Sequence, residues 1–126
     1  MSIPVALPDL AAAISEYGFA YLLTVSDDLR AHIVAVTPAW EGDFLVMDVG
    51  RRTARNATER PAVSLCYPPV EAGGYSLIID GEATVDESTV AFAPSGAVLH
   101  RPAPAGFGGS STGCGNDCEP VGSSGG

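Results

Sequence analysis

The chain contains no lysine, and six arginines are its only strongly basic side chains in 126 residues. Enzymes that use pyridoxal phosphate hold their cofactor as a Schiff base on a lysine, so this absence excludes that class. Fifteen acidic residues against six basic ones give a formal net charge of −9. Because contacts with phosphates dominate nucleic-acid affinity, this charge balance argues against DNA or RNA as a partner.

Long apolar runs are also missing. No run reaches the roughly 18 residues that a membrane span requires, and the N-terminus lacks the basic-then-apolar order of a secretory signal. We therefore expect a cytoplasmic protein that does not enter a membrane. Three cysteines, an odd number, do not indicate a disulfide framework.

The composition changes near Pro94. The chain is 46% hydrophobic and 17% charged, which is typical of a globular domain, and we assign that domain to residues 1–93. Residues 94–126 are rich in Pro, Gly and Ser and are predicted to form a flexible tail. Cys114 and Cys118 lie in this tail. Zinc sites prefer a shorter spacing and need about four ligands, so we expect free thiols or a tail disulfide and no metal site.

The hydrophobic pattern predicts a mainly β domain with short flanking helices. The expected strands are residues 19–25, 31–37, 44–48, 62–67 and 75–85, with one helix after Pro8, capped by Asp9, and another over 53–59. The first two strands are expected to form a hairpin, the third to pair back on the second, and Gly81 to form a bulge. Five or six antiparallel strands joined by short turns favour a small barrel.

Four of the six arginines lie within ten residues, at Arg51, Arg52, Arg55 and Arg60. Gly50 follows a strand and a short helix follows it, so backbone amides at the helix N-terminus could bind an anion. Arg51, Arg52 and the hydroxyl of Thr53 would complete a phosphate cradle. A solvated helix face, with arginines paired to Asp48 or Glu59, is the other interpretation.

The segment FLVMDVGRRTARNATERPAVSLCYPP, followed by YSLIIDGEATV, resembles the pyridoxamine 5′-phosphate oxidase-like flavin-binding split-barrel family. The matching features are the turn Gly50-Arg51-Arg52-Thr53, Pro61 after a short helix, the strand Val63-Ser64-Leu65 and the bend Gly81-Glu82-Ala83. The resemblance covers roughly residues 10–90. It implies a small antiparallel split β-barrel that binds a flavin at a homodimer interface.

By this resemblance, Arg51, Arg52 and Thr53 hold the flavin phosphate. Val46, Met47 and Asp48 match the strand whose backbone runs along the isoalloxazine ring, and Val36 and Thr37 match the strand that faces it. Ser76 matches a polar residue that reaches the cofactor from the second subunit.

The chain departs from the family at Thr37, where a lysine is usual, and only His100 and Arg101 are basic late in the chain. We therefore expect an oxidoreductase acting on a small molecule other than pyridoxamine phosphate. FMN is the favoured cofactor because the cradle is compact. The alternative is the deazaflavin coenzyme F-420, whose phosphodiester and glutamate tail would need positive charge beyond the cradle, at Arg55 and Arg60.

Two further interpretations stay open. The protein could bind or sequester flavin without turnover, because no side chain is a compelling catalytic acid or base. It could also bind haem, with His32 or His100 as an axial ligand. His32 could instead be an ordinary wall residue of a strand, or an acid near the ring. The sequence identifies no catalytic residue and names no substrate.

Overall fold

The computed structural model describes residues 1–103. Most of the predicted tail, including Cys114 and Cys118, lies outside these described residues. The secondary-structure elements in chain order are β1 (Ser2–Val5), α1 (Leu10–Ile14), β2 (Ala20–Val25), β3 (Ala31–Val36), β4 (Ala39–Glu41), β5 (Phe44–Asp48), α2 (Arg51–Glu59), β6 (Ala62–Tyr67), β7 (Ser76–Asp86) and β8 (Thr89–His100). A 3₁₀ turn, Leu7–Asp9, leads into α1.

The strands form one antiparallel sheet in the order β3-β2-β6-β7-β8-β5-β4, and β1 pairs with the far end of β8. The sheet curves into a half-barrel whose two edge strands are β3 and β4. Helix α2 packs against β2, β7 and β8. The predicted fold class, a mainly β antiparallel split barrel with short flanking helices, is confirmed.

Alternation along the strands divides the sheet into two faces. The inner face and α2 enclose the core, whose largest fully buried side chains are Tyr67, Phe92, Leu10, Leu22, Leu45, Leu65, Leu77, Ile79 and Val90. The outer face carries an apolar row across four paired strands, formed by Tyr21, Cys66, Ile78 and Val98. Tyr21 is 38% exposed, so this row is accessible in the single chain.

The predicted bulge at Gly81 is confirmed by the pairing of β7 with β8. Asp80 pairs with Gly96 and Gly81 pairs with Pro94, so Ser95 is an additional residue in β8. A Cβ atom on Gly81 would lie 2.4 Å from the carbonyl oxygen of Ala93. Only glycine permits the two backbones to approach this closely.

The predicted boundary near residue 94 differs from the structure, because β8 runs through it to His100. The turn-like composition of Pro94, Ser95 and Gly96 led to the earlier boundary. Proline and glycine are tolerated here because β8 changes neighbour at this point, from β5 over residues 89–92 to β1 over residues 97–100. Between these partners the strand has no ladder on that side and carries the bulge.

The predicted pairing of the third strand with the second is wrong. That strand is β5, and it pairs with β4 and β8. Strands β1 and β4 were not predicted. We expected β5 to pair with β3, but β5 instead forms a short hairpin with β4, which has only three residues. Asp9 precedes α1 but makes no side-chain capping bond.

Candidate functional site

The N-terminus of α2 presents unpaired hydrogen-bond donors. Gly50 occupies the N-cap position, and no side chain caps the helix. The backbone amides of the first turn have no acceptor within the helix, since the first intrahelical bond runs from Ala54 to the carbonyl of Gly50. Arg51 and Arg52 are exposed and form no ion pair or side-chain hydrogen bond within residues 1–103. This turn therefore combines amide donors, the helix dipole and two guanidinium groups that could bind an anion.

The other two arginines of the window are engaged by one carboxylate. The Arg55 guanidinium donates to Asp27 Oδ2 at 2.8 Å and 3.2 Å, and Arg60 donates to Asp27 Oδ1. Arg60 also donates to the carbonyl of Val25 at 2.9 Å. The hydrogen bonds from Arg55 and then Arg60 hold the pKa of Asp27 below its ordinary value. Asp27 lies in the β2–β3 turn, 28 residues before Arg55, so no local sequence pattern predicted this contact.

Thr53 lies on the buried side of α2, whereas Arg51 and Arg52 are exposed. It is only 2% exposed, and its helical neighbours Ala54, Asn56 and Ala57 are buried with it. The side-chain amide of Asn56 donates to the hydroxyl of Thr24 on β2 at 3.2 Å. This face anchors the helix, so the first-turn amides, Arg51 and Arg52 form the accessible part of the predicted cradle.

Strand β5 delivers the chain to this turn and leaves one backbone edge without a partner. The pairing of β5 with β4 extends only to Val46, which lies opposite Ala39, the first residue of β4. Beyond that point Met47 and Asp48 pair only with β8 within the described residues. Their other edge offers backbone groups beside the α2 N-terminus, where a planar heterocycle could form hydrogen bonds. Met47 is buried in the core, while the exposed Asp48 carboxylate accepts from the Thr89 hydroxyl at 3.1 Å.

The end of β3 lies close to this unpaired edge of β5. Val36 is 7% exposed and pairs with Ala20, and Thr37 follows immediately and is exposed. Two residues later, Ala39 begins β4 opposite Val46. The structure therefore places the predicted ring-facing residues of β3 and β5 near the gap between the two edge strands β3 and β4, and β5 leads from there to the N-terminus of α2.

Ser76 lies elsewhere. It pairs with His100 at one end of the β7–β8 ladder, whereas Thr89, the partner of Asp48, lies at the other end. Eleven strand residues separate the two ends, on the order of 30 Å at about 3.3 Å per residue. Ser76 lines a pocket of about 490 Å³ together with Pro69, Gly73, Gly74, His100, Arg101, Pro102 and Ala103.

Arg101, which lines this pocket, is held in place by two contacts that were not predicted. Its guanidinium carbon lies 4.4 Å from the ring centroid of Tyr75, a cation–π contact, and the group donates to the carbonyl of Gly73 at 3.4 Å. His100 Nδ1 lies 3.1 Å from the Ser2 hydroxyl. The Ser2–His100 contact joins β1 to the end of β8, and the two Arg101 contacts hold Arg101 against the segment before β7.

The remaining candidate groups are dispersed. His32 pairs with Thr24 and is half-buried near the edge of the sheet, far in sequence from His100. Residues 1–103 contain no group of three or more His, Cys, Asp or Glu side chains that could hold a metal ion. Burial raises the pKa of the Cys66 thiol, which lies on the outer sheet face. No helix in the described part of the chain is long and apolar enough to span a membrane.

Solved structures with this fold define its class as the split barrel. A candidate pyridoxamine 5′-phosphate oxidase from Listeria innocua matches with a TM-score of 0.61 and 17% identity over 74% of this chain and 96% of its own. An F-420 reductase matches with a TM-score of 0.53 and 17% identity over 63% of this chain and 87% of its own. An FAD-binding protein from Mesorhizobium loti matches with a TM-score of 0.55 and 13% identity over 80% of this chain and 98% of its own. The haem storage protein HutZ from Vibrio cholerae matches with a TM-score of 0.52 and 17% identity over 71% of this chain and 88% of its own.

Sequence relatives define a narrower group. Uncharacterized proteins from Mycobacterium bovis and Mycobacterium tuberculosis are each 40% identical to this chain over 129 aligned positions. The alignments cover 89% of this chain and 91% of each relative. The chain therefore belongs to the same family as these two mycobacterial proteins. No family model matches the sequence.

Proposed function

We propose that this protein is a flavin-dependent oxidoreductase of the pyridoxamine 5′-phosphate oxidase-like group, with FMN bound at a homodimer interface. The observation that carries the proposal is the α2 N-terminus, where Arg51 and Arg52 lie unengaged within the described residues beside uncapped amides. In a chain of net charge −9, two such arginines at a helix N-terminus are matched to a phosphate. The structural neighbours include proteins named for FAD and F-420, which supports a flavin-type ligand.

The residues around this turn fit the remaining parts of a flavin. The unpaired β5 edge at Met47 and Asp48 could hydrogen-bond the polar rim of the ring. The Val36 and Met47 side chains pack in the core beneath that edge and would exclude water from one side. A bound isoalloxazine supplies the electron transfer, while this chain supplies phosphate binding, orientation and shielding.

The arginine pairing favours FMN over the longer deazaflavin. The positive track that F-420 would need runs through Arg55 and Arg60, and both are engaged by Asp27. The two arginines that remain accessible are sufficient for a single terminal phosphate. FMN is therefore the proposed cofactor, and the substrate is a small molecule of unassigned identity.

The distance between the two halves of the proposed site supports the proposed homodimer. Ser76 and the α2 N-terminus lie near opposite ends of the β7–β8 ladder, so one flavin cannot reach both within a single chain. A second copy could bring its Ser76 to the first copy's cradle. The apolar outer row of Tyr21, Cys66, Ile78 and Val98 offers a surface for that contact.

Titration of the ligand-free protein tests the proposal. Trp40 is the only tryptophan, and it lies on β4 beside the proposed ring site, so its fluorescence can report binding of FMN, riboflavin, F-420 or haemin. We expect FMN to bind most tightly. Tightest binding of haemin, or no binding of any flavin, would reject the flavin assignment.

Turnover needs a separate measurement, because no side chain of the site is assigned as a proton donor. Anaerobic reduction of the FMN-loaded protein by NADPH, followed by reoxidation with candidate acceptors, should give a catalytic cycle. Tight FMN binding without reduction by NADPH or by reduced deazaflavin would indicate a flavin-sequestering protein instead.

A further inference from the structure

The arginines at the two ends of α2 differ in whether they have an ion-pair partner. At the N-terminal end, Arg51 and Arg52 have no ion-pair partner among residues 1–103. One turn further on, Arg55 binds Asp27 at 2.8 Å, and Arg60 binds the other oxygen of the same carboxylate. One side chain from the β2–β3 turn therefore engages both remaining cations of the window.

The surroundings of Asp27 are also acidic. Asp28 follows it in the turn and is held there by the Ser26 hydroxyl and the amide of Arg30. Glu59 lies at the end of α2 and interacts electrostatically with Arg55. Asp27 and Glu59 therefore both offset the positive charge of Arg55, so this end of the helix has less positive charge to offer a further anionic group.

Helical spacing makes this arrangement relevant to ligand choice. Arg51 and Arg55 are four residues apart, so their side chains are neighbours on the exposed face of α2. An anionic extension of a ligand bound at Arg51 and Arg52 could follow this face. It would meet Arg55 already paired with Asp27.

We propose that Asp27 is a specificity-determining residue: by engaging Arg55 and Arg60 it restricts anion binding to the first turn of α2. The protein thereby favours a flavin that ends in one phosphate over a flavin that carries a phosphodiester and further carboxylates. This inference rests on the proposed function and assigns a ligand preference to a residue outside the cradle.

The test compares FMN and coenzyme F-420 binding to the full chain and to Asp27→Asn. The substitution keeps the shape of the side chain and releases both guanidinium groups from a charged partner. We expect the affinity for F-420 relative to FMN to rise about three- to tenfold, the scale of one or two exposed ion pairs. The gain should shrink in high salt, because exposed charges are screened.

Two variants separate this effect from a structural one. Asp28→Asn removes the same charge one residue away without releasing an arginine, and it should change the affinity ratio much less. Adding Arg55→Gln and Arg60→Gln to Asp27→Asn should abolish the gain. An unchanged ratio in Asp27→Asn, an equal loss for both flavins, or an equal gain from Asp28→Asn would overturn the proposal.

A second probe tests Asp27 independently of flavin. Calorimetric titration with inorganic phosphate and pyrophosphate should show that Asp27→Asn increases the preference for pyrophosphate, in which a second anionic group can reach Arg55. If neither flavin binds the unmodified protein, the proposed function fails, and this comparison still decides the role of Asp27. No change in the preference for pyrophosphate would then reject that role.

Discussion

The side-chain amide of Asn56 donates a hydrogen bond of 3.2 Å to the hydroxyl of Thr24. Both residues are almost fully buried, at 2% and 1% exposure, so water cannot replace either partner. This bond joins α2 to β2 across 32 residues of sequence and orients the helix on the sheet. The position of Arg51 and Arg52 therefore depends on a polar pair in the core.

Replacing Thr24 with valine tests that dependence. The Asn56 amide would lose its acceptor while buried, which should lower the free energy of unfolding by about 1–3 kcal/mol. Urea denaturation measures the loss. Thr84→Val, at an exposed position of β7, is the matched control and should change stability by no more than about 0.5 kcal/mol. Equal effects of the two substitutions would show that the buried bond contributes nothing specific.

The bulge makes Gly81 sensitive to a single methyl group. In Gly81→Ala the new Cβ would lie 2.4 Å from the Ala93 carbonyl oxygen and 2.7 Å from Phe92 Cζ. The required shifts should cost about 1–3 kcal/mol of stability. Gly96→Ala is the control, because no heavy atom outside its chain neighbours lies within 4 Å of a Cβ there. Thermal or urea unfolding of both variants measures the difference in stability. If Gly81→Ala is as stable as Gly96→Ala, the close approach of the two backbones at Gly81 is contradicted.

Tyr67 carries a buried hydroxyl that has no hydrogen-bond partner within residues 1–103. Tyr67→Phe removes this group and should raise the free energy of unfolding by about 1 kcal/mol.

Burial also raises the pKa of Tyr67 to about 12, whereas tyrosine in the unfolded chain ionises near pH 10. Stability from keeping this phenol neutral is complete below pH 10 and is lost as the pH rises to about 12. Urea denaturation between pH 8 and 12 should show that the free energy of unfolding falls less with rising pH in Tyr67→Phe than in the unmodified protein. A Tyr67→Phe protein that is less stable than the unmodified protein would contradict this prediction, because it would mean that the hydroxyl has a hydrogen-bond partner.

The cradle prediction concerns Arg52. Arg52→Ala should weaken FMN binding by about 1.5–3 kcal/mol, the scale of a hydrogen bond to a charged group, and weaken riboflavin binding far less. Arg30→Ala removes the same charge from the exposed β2–β3 turn and should leave both affinities nearly unchanged. Fluorescence titrations measure all six constants. Equal losses for FMN and riboflavin would mean that Arg52 does not bind the phosphate.

The dimer prediction concerns the outer apolar row. Sedimentation at micromolar concentration should show two chains per particle. Ile78→Glu places a charge in the middle of the row and should yield a monomer with greatly weakened FMN binding, because Ser76 of the second copy is then lost. Thr84→Glu is the control at an exposed site on the same strand. A monomer that binds FMN tightly would contradict the shared site.

Much of the fold was predictable because its determinants are local. Apolar and partly β-branched runs bounded by turn residues identified β2, β3 and β6, and Gly81 marked the bulge because glycine within a strand pattern commonly does so. Strands β1 and β4, with four and three residues, are too short to give a recognisable pattern. Strand β8 was missed because Pro94 is tolerated only where the strand changes partner, and that condition is set by β1 and β5.

The sequence by itself determined where the arginines concentrate and that a glycine precedes the short helix, since both are properties of the short segment 50–60. Only the tertiary structure decided which of these arginines remain accessible. Asp27 engages Arg55 and Arg60 from a turn about thirty residues away, and Thr24 anchors the buried face of α2. Those contacts depend on the packing of α2 against β2, and ion pairs between distant segments leave no periodic signal in a single chain.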